Sequence, residues 1–206
     1  MNSVFITGTD TGVGKTVVTL MLKRYLIDSG FKAAAHKWVQ AGDDDEVFDL
    51  VSYRLKFPAS PHLSSEMERI RINKDRIIKD FYDLSSEVDF VAAEGSGGLL
   101  VPYDRSFTLC DIAGELELSV VVVVGNKLGA INHALLTIDA IRNRGMKIRG
   151  LILNDFCPDQ KEEIMSDNVK IIKQLSGVTV MGRLPYEQDA ELLYKKFTEL
   201  DFSWIG

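Results

Sequence analysis

Five valines in a row, Val120 to Val124, constrain the fold of this chain more than any other stretch. A strand with one wet face alternates apolar and polar residues, whereas an unbroken β-branched run is buried on both faces. The run is far too short for a membrane helix, which needs about 20 apolar residues. It reads as a central parallel strand, Ser119–Val124, covered by helices on both sides. The rest of the chain agrees, because short β-rich runs alternate with longer helical ones. Further strands are expected at Val4–Thr7, Lys32–Val39, Asp89–Ala93, Ile148–Leu153 and Thr179–Met181. Helices are expected from Lys15 to Ser29, Lys74 to Ser86, Ile131 to Arg144, Gln160 to Leu175 and from Ala190 onward. Helical spacing of Val47, Leu50 and Val51 predicts one more helix from Asp45 to Lys56. Phe57 to Ser65, with Pro58 and Pro61, reads as a loop. The class is α/β, a mostly parallel sheet with helices on both faces.

A chain of 206 residues with 46% hydrophobic content can bury one sizeable core, and no repeat, linker or low-complexity tract divides it. A net charge of −6 without a lysine/arginine run argues against nucleic acid or anionic membrane as a partner. Met1-Asn2-Ser3 leads straight into a strand-like segment, with no basic leader or cleavage site. Two cysteines, Cys110 and Cys157, do not make a disulfide framework, so a reducing, cytoplasmic setting is expected.

In open α/β sheets, ligands bind beyond the carboxyl ends of the strands, so the residues that follow each strand were read together. After the first strand comes Gly8 to Thr16, a glycine-framed run closing on Gly14-Lys15-Thr16. Five residues separate Gly8 from that triplet, where a phosphate-binding P-loop usually has four. The loop is either a P-loop of variant type or a glycine turn before an ordinary helix. As a P-loop it aims Gly12, Val13, Gly14 and Val17 backbone groups at phosphates, with Lys15 on the β and γ phosphates and Thr16 on Mg²⁺. After the second strand comes Lys37, either an outward-snorkelling residue or a catalytic cation, then Gln40-Ala41-Gly42 and the acidic cluster Asp43 to Glu46. Asp45 is either a helix cap or a metal ligand. Glu94, amid Gly95-Ser96-Gly97-Gly98, is either a salt-bridged glutamate or a second metal-side carboxylate. Gly125 to Gly129 follows the valine strand, with Lys127 between its glycines. Asn154-Asp155 is either a turn or a reader of a nucleotide base. Gly182 to Pro185 follows the last strand. No metal-ligand spacing links His36, His62 and His133, and no Ser–His–Asp or Cys–His set stands out. The fold class is therefore a single-domain, P-loop NTPase-like parallel sheet spanning residues 1–206.

These stretches together resemble the dethiobiotin synthetase family, ATP-dependent ligases of biotin synthesis, over nearly the whole chain. The resemblance rests on Thr7 to Thr16, Lys37 to Gly42, Ser60-Pro61-His62, Glu94 to Gly98 with Val101-Pro102, Val124 to Thr137, Asn154-Asp155 and Gly182 to Pro185. It implies a homodimer that joins CO₂ to 7,8-diaminopelargonic acid and closes a cyclic urea at the expense of ATP. A substrate amine becomes a carbamate, the γ-phosphate moves to it to give a carbamic–phosphoric anhydride, and the second amine displaces phosphate. By the same resemblance Lys37, Lys15 and Thr11 act in catalysis, and Thr16, Asp45 and Glu94 hold Mg²⁺. ATP is then met by Gly12 to Val17, Asp45, Glu94 to Gly97, Asn154, Asp155, Pro185, Tyr186 and Glu187. The diamine substrate is met by Thr11, Lys37, Ala41 and, from the partner subunit, the helix start at Lys127, Leu128, Gly129, Ala130, Ile131 and Asn132.

Two positions depart from the family pattern. Trp38 stands where proline is common, with the bulk to narrow or reshape the pocket. Ala41 stands where serine or threonine is common, which removes a hydroxyl worth about 1 kcal/mol in a typical hydrogen bond. The alternative reading is a nucleotide-dependent switch, or a paralogue that binds nucleotide without synthesis. Partitioning-type ATPases carry a lysine at the position that Asp10 holds here.

Overall fold

The computed structural model describes residues 2–42, 47–156 and 158–205. Seven strands form one sheet, β1 Asn2–Gly8, β2 Ala33–Ala41, β3 Leu50–Leu55, β4 Phe90–Gly98, β5 Ser119–Gly125, β6 Ile148–Asn154 and β7 Val180–Leu184. Their order is β3-β2-β4-β1-β5-β6-β7, and every pairing is parallel. The helices are α1 Lys15–Asp28, α2 Pro61–Glu68, α3 Lys74–Ser85, α4 Leu109–Glu115, α5 Ala130–Arg142, α6 Glu162–Ser176 and α7 Ala190–Phe197. The valine run behaves as its composition requires. Every residue of β5 is buried, with Val120, Val122 and Val124 in the core beneath α3, α4 and α5 and Val121 and Val123 in the core beneath α1 and α7. Each such valine contributes roughly 1.5–3 kcal/mol on leaving water, which is why both faces of the sheet must be covered.

Three local expectations are overturned. The helix expected from Asp45 to Lys56 is instead the edge strand β3, paired with β2 from His36↔Leu50 to Ala41↔Leu55; residues 43–46, Asp45 among them, lie outside the described residues. Three apolar positions are too short a window to separate the two periods, and Val51 and Tyr53 are strand formers. Tyr53 and Leu55 go into the core, whereas Val47 is 80% exposed. The loop expected from Phe57 to Ser65 contains the start of α2, whose first turn carries Pro61, where proline's absent N–H costs nothing. Lys37 does not end its strand: β2 continues to Ala41 and puts Lys37 mid-strand. Helix α4 was not anticipated, although Thr108 and Asp111 mark its start, the Asp111 carboxylate accepting from the Thr108 N–H at 2.6 Å.

Trp38 also departs from expectation. Its side chain is fully buried and stacked on Phe5 at 4.7 Å and 9°, inside the core, so its bulk does not narrow the cavity described below. His36 is buried beside it, its Nε2 2.8 Å from the Ser52 hydroxyl, and burial lowers its pKa to about 3. A histidine held neutral in the fold but free to protonate when unfolded stabilises fully above pH 6.5, and that stability is lost as pH falls below it. Between pH 7.5 and 5.0 the loss from one such group is about 2 kcal/mol. Denaturant unfolding at both pH values is therefore expected to show wild type losing about 2 kcal/mol more than His36→Leu; equal losses would refute the assignment.

Candidate active site

Parallel register builds the centre of the site. Glu94 of β4 pairs with Ile6 of β1 on one side and Lys37 of β2 on the other, so the Lys37 and Glu94 side chains leave the same face of the sheet. That face is covered by α1, whose first turn brings Thr16. The Thr16 hydroxyl donates to Glu94 Oε1 at 2.9 Å, and the Lys37 ammonium donates to the same oxygen. Glu94 is fully buried and Lys37 is 8% exposed, so this ion pair is shielded from solvent. Glu94 Oε2 is buried and has no partner among the described residues. A carboxylate oxygen with unused acceptor capacity beside a threonine hydroxyl is the oxygen-only donor set that Mg²⁺ takes.

The loop between β1 and α1 is shaped by two close approaches. Gly14, at φ 92, sits in the left-handed region as the N-cap of α1. A Cβ there would lie 2.3 Å from the Asn154 amide nitrogen, so both the turn and the packing require glycine. Asn154 donates that N–H to the Val13 carbonyl at 2.9 Å, tying the end of β6 to the loop. Lys15 curls over the loop, its ammonium donating to the Asp10 carbonyl at 3.0 Å, and the Thr11 N–H donates to the Asp10 carboxylate at 2.7 Å. The start of α1, where a helix has its positive end, lines the same cavity as Lys15 and Lys37, which suits a polyphosphate.

A cavity of about 660 Å³ opens here, large enough for a small ligand. Of the residues expected from sequence it gathers Thr11, Gly12, Gly14, Lys15, Thr16, Val17, Lys37, Ala41, Glu94, Ser96 and Gly97. It adds residues that sequence reading did not place in a site, namely Val39, Gln40, Pro58 to Pro61 and Val101. The signal for these was the proline pair and the stretch after Lys37, which continues the strand into the cavity wall. Gln40 is 4% exposed, and its carbonyl accepts from Arg54 at 3.0 Å. Ser96 donates to the Val39 carbonyl, fixing the glycine-flanked turn of β4 against β2.

Other expected residues stand apart from this cavity. Gly95 faces the core, where a Cβ would lie 2.9 Å from Phe5. Asp155 is 3% exposed with both oxygens engaged, by Asn126 at 2.7 Å and Arg183 at 2.5 Å. Burial pushes its carboxyl above the ordinary range, and those two donors pull it back. Pro185, Tyr186 and Glu187 follow β7, and the Glu187 carboxylate accepts from the N–H groups of Gln188 and Asp189 at 2.8 and 3.0 Å. Lys127 to Asn132 form the start of α5, with Gly129 as N-cap at φ 93 and Leu128 77% exposed. Asp45 lies outside the described residues. No described helix is long and apolar enough to cross a membrane.

Comparison with known proteins separates scaffold from chemistry. A ParA family ATPase from Chlorobium tepidum TLS superimposes with a TM-score of 0.62 at 14% identity, over 94% of this chain and 89% of the other. The MinD cell division protein of Aquifex aeolicus gives 0.58 at 15%, over 95% and 87%. At such identities the likeness shows a P-loop NTPase-like fold and nothing finer. A family model described as an AAA domain matches residues 2–191. Sequence relatives are far nearer. Proteins named ATP-dependent dethiobiotin synthetase BioD are 36% identical in Clostridium perfringens, over 91% of this chain and 92% of that protein. In Anoxybacillus flavithermus identity is 35% over 90% and 92%, and in Methanococcus vannielii 32% over 94% and 98%. With likeness at that level along almost the whole length, and a phosphate loop, Lys37 and Glu94 meeting at one cavity, the chain belongs to the family of ATP-dependent dethiobiotin synthetases.

Proposed function

We propose that the protein joins CO₂ to 7,8-diaminopelargonic acid and closes the ureido ring of dethiobiotin, using ATP and Mg²⁺. One observation carries this reading. The phosphate loop does not face a closed nucleotide slot; its cavity continues past Thr11 and Lys37 to Ala41 and Pro58–Pro61, leaving room for a second substrate beside the terminal phosphate.

The chemistry demands two cations near one carboxylate-like group. An amine of the substrate adds to CO₂ and loses a proton, giving a carbamate. A carbamate oxygen attacks the γ-phosphorus of ATP as ADP leaves, and the second amine then attacks the anhydride carbon as phosphate leaves. Phosphoryl transfer of this kind needs positioning and charge neutralisation more than covalent help. Lys37 reaches the cavity from mid-β2 and can hold the carbamate oxygens, while Lys15 spans the β and γ phosphates. Thr11 and the Ser96–Gly97 turn, which line the same cavity, orient the carbamate. Mg²⁺ would be held by Thr16 and Glu94, with Asp45 the further carboxylate in this reading, and when bound it neutralises phosphate charge. Asn154, Asp155 and the Pro185–Glu187 segment form the base end. The substrate's distant carboxylate meets the α5 start at Lys127–Asn132 of a second copy, in a homodimer working in the cytoplasm. The exposed Leu128 and Leu136, at 77% and 61%, support a covered surface there.

Phosphate release is expected only when ATP, the diamine and bicarbonate are all present, as measured by omitting each in turn. Release that ignores the diamine would instead favour the nucleotide switch. Lys37→Ala is expected to lower turnover by about 10²- to 10³-fold while ADP affinity stays within about threefold; unchanged turnover removes Lys37 from the mechanism. Sedimentation is expected to give twice the monomer mass for wild type, and Leu128→Glu with Leu136→Glu is expected to shift it toward monomer and raise KM for the diamine; wild type sedimenting as a monomer overturns the shared site.

A further inference from the structure

A largely buried polar network lies just outside the cavity, and of its members the mechanism above uses Asp155 alone. Its hub is Asp155, which follows Asn154 and points away from the phosphate loop. Arg183 of β7 donates its Nε–H to Asp155 and both terminal nitrogens to Glu162 of α6, at 2.5, 2.5 and 2.6 Å. Asp155 accepts in turn from Asn126, which is fully buried. Asn126 accepts from Asn168 of α6 at 2.9 Å, and Asn168 also donates to the Lys127 carbonyl at 3.1 Å. Backbone bonds run alongside, from the Asn126 N–H to the Asn154 carbonyl at 2.8 Å and from the Asp155 N–H to the Leu184 carbonyl at 2.9 Å. The ends of β5, β6 and β7 are therefore bound to one another by a single chain of side chains.

We infer that Arg183 is a positioning residue for the base end of the nucleotide site, acting through Asp155 and Asn126 on the backbone that carries Asn154 and Pro185. The inference rests on the reading that the base lies at Asn154. A nearly buried carboxylate tolerates its charge only while its donors are in place, and removing one leaves an uncompensated charge that the backbone must move to relieve. The bidentate hold on Glu162 fixes the guanidinium itself, so Arg183 cannot follow a displaced Asp155. The phosphate loop touches this end through the Asn154 amide on the Val13 carbonyl, but it also has an anchor of its own in the Thr9 N–H on the Val123 carbonyl at 3.0 Å. Loss of Arg183 thus loosens the base end more than the phosphate end, which keeps the Thr9 anchor.

The test compares two ligands, ADP and inorganic pyrophosphate, by calorimetry on the full chain. Wild type is expected to bind ADP the more tightly. Arg183→Met is expected to lose about tenfold in ADP affinity with pyrophosphate affinity within about twofold. In turnover its KM for ATP rises similarly with kcat nearly kept, and Arg183→Lys, which restores one contact to Asp155, recovers part of the loss. Glu162→Gln, altered at an exposed position, shows the same selective loss to a smaller degree and carries the test should Arg183→Met not fold. Equal losses for ADP and pyrophosphate, or no loss for either, overturn the positioning role. Wild type binding pyrophosphate as tightly as ADP overturns the base subsite itself, a different failure from the first.

Discussion

Glu94 is the constraint on which the site depends. A carboxylate at the centre of a parallel sheet, with no exposed surface, costs several kcal/mol to desolvate and is sustained only by donors of its own. Here the donors come from two separate places, the ammonium of Lys37 on the neighbouring strand and the hydroxyl of Thr16 on the helix above. Each is delivered by a different structural rule. Parallel register sets Lys37 abreast of Glu94, and packing of α1 over β4 and β2 sets Thr16 above both. The acidic hub therefore binds helix and sheet together while its second oxygen stays without a partner among the described residues. Structural and chemical demands fall on the same atoms.

The same logic explains what the sequence made legible. The helices α1, α3, α5 and α6 are legible because their burial pattern repeats over 12 or more residues, and the valine strand because all five of its valines are β-branched and apolar. Residues 47–65 were misread because β3 is six residues long and paired at an edge, and α2 is eight residues long and begins on a proline that reads as a loop. In such short segments tertiary pairing decides between periods that local spacing leaves equal. The phosphate loop, Lys37 and Glu94 were legible as a set because glycines, lysines and carboxylates at strand ends are rare without a ligand. Gln40, Ser60, Pro61 and Val101 fall in stretches the sequence singles out but carry no role there, since nothing in their types marks a cavity wall; the extension of β2 to Ala41 brings Gln40 to it, and the segments after β3 and β4 bring the others. Asp155 is legible as part of a motif, but its pairing with Arg183 and Asn126 is not, because a carboxylate facing a ligand and one facing an arginine look alike in sequence.

Scaffold and chemistry separate cleanly in this chain. ParA-type and MinD structures share its fold at 14–15% identity, so the order of strands and the phosphate loop do not select a reaction. The features of this site lie on β2 and β4: a lysine in mid-β2 beside the buried Glu94, and a cavity that continues from the β1–α1 loop to Pro58–Pro61. Within this scaffold β2 lines the cavity beside the loop with Lys37, Val39, Gln40 and Ala41, and it is in such walls that one fold can host different chemistries.

The two departures from the family pattern then carry different weight. Trp38 alternates with Lys37 along β2, so it enters the core while Lys37 enters the site. Stacked on Phe5, it buries an aromatic surface worth roughly 4–6 kcal/mol, more than the roughly 1–3 kcal/mol cost of its unpartnered indole N–H. Phe5 in turn crowds Gly95, so the indole, the phenyl ring and the glycine backbone form one packed column beneath Glu94. A residue that looked like an intrusion into the pocket instead supports the strand that carries the buried carboxylate. Ala41 is the departure that reaches the cavity, and there its lost hydroxyl is flanked by Gln40 and Ser60 on the same wall. Those neighbours are themselves held, Gln40 by Arg54 and Ser60 by His62, so the wall around Ala41 is fixed from behind.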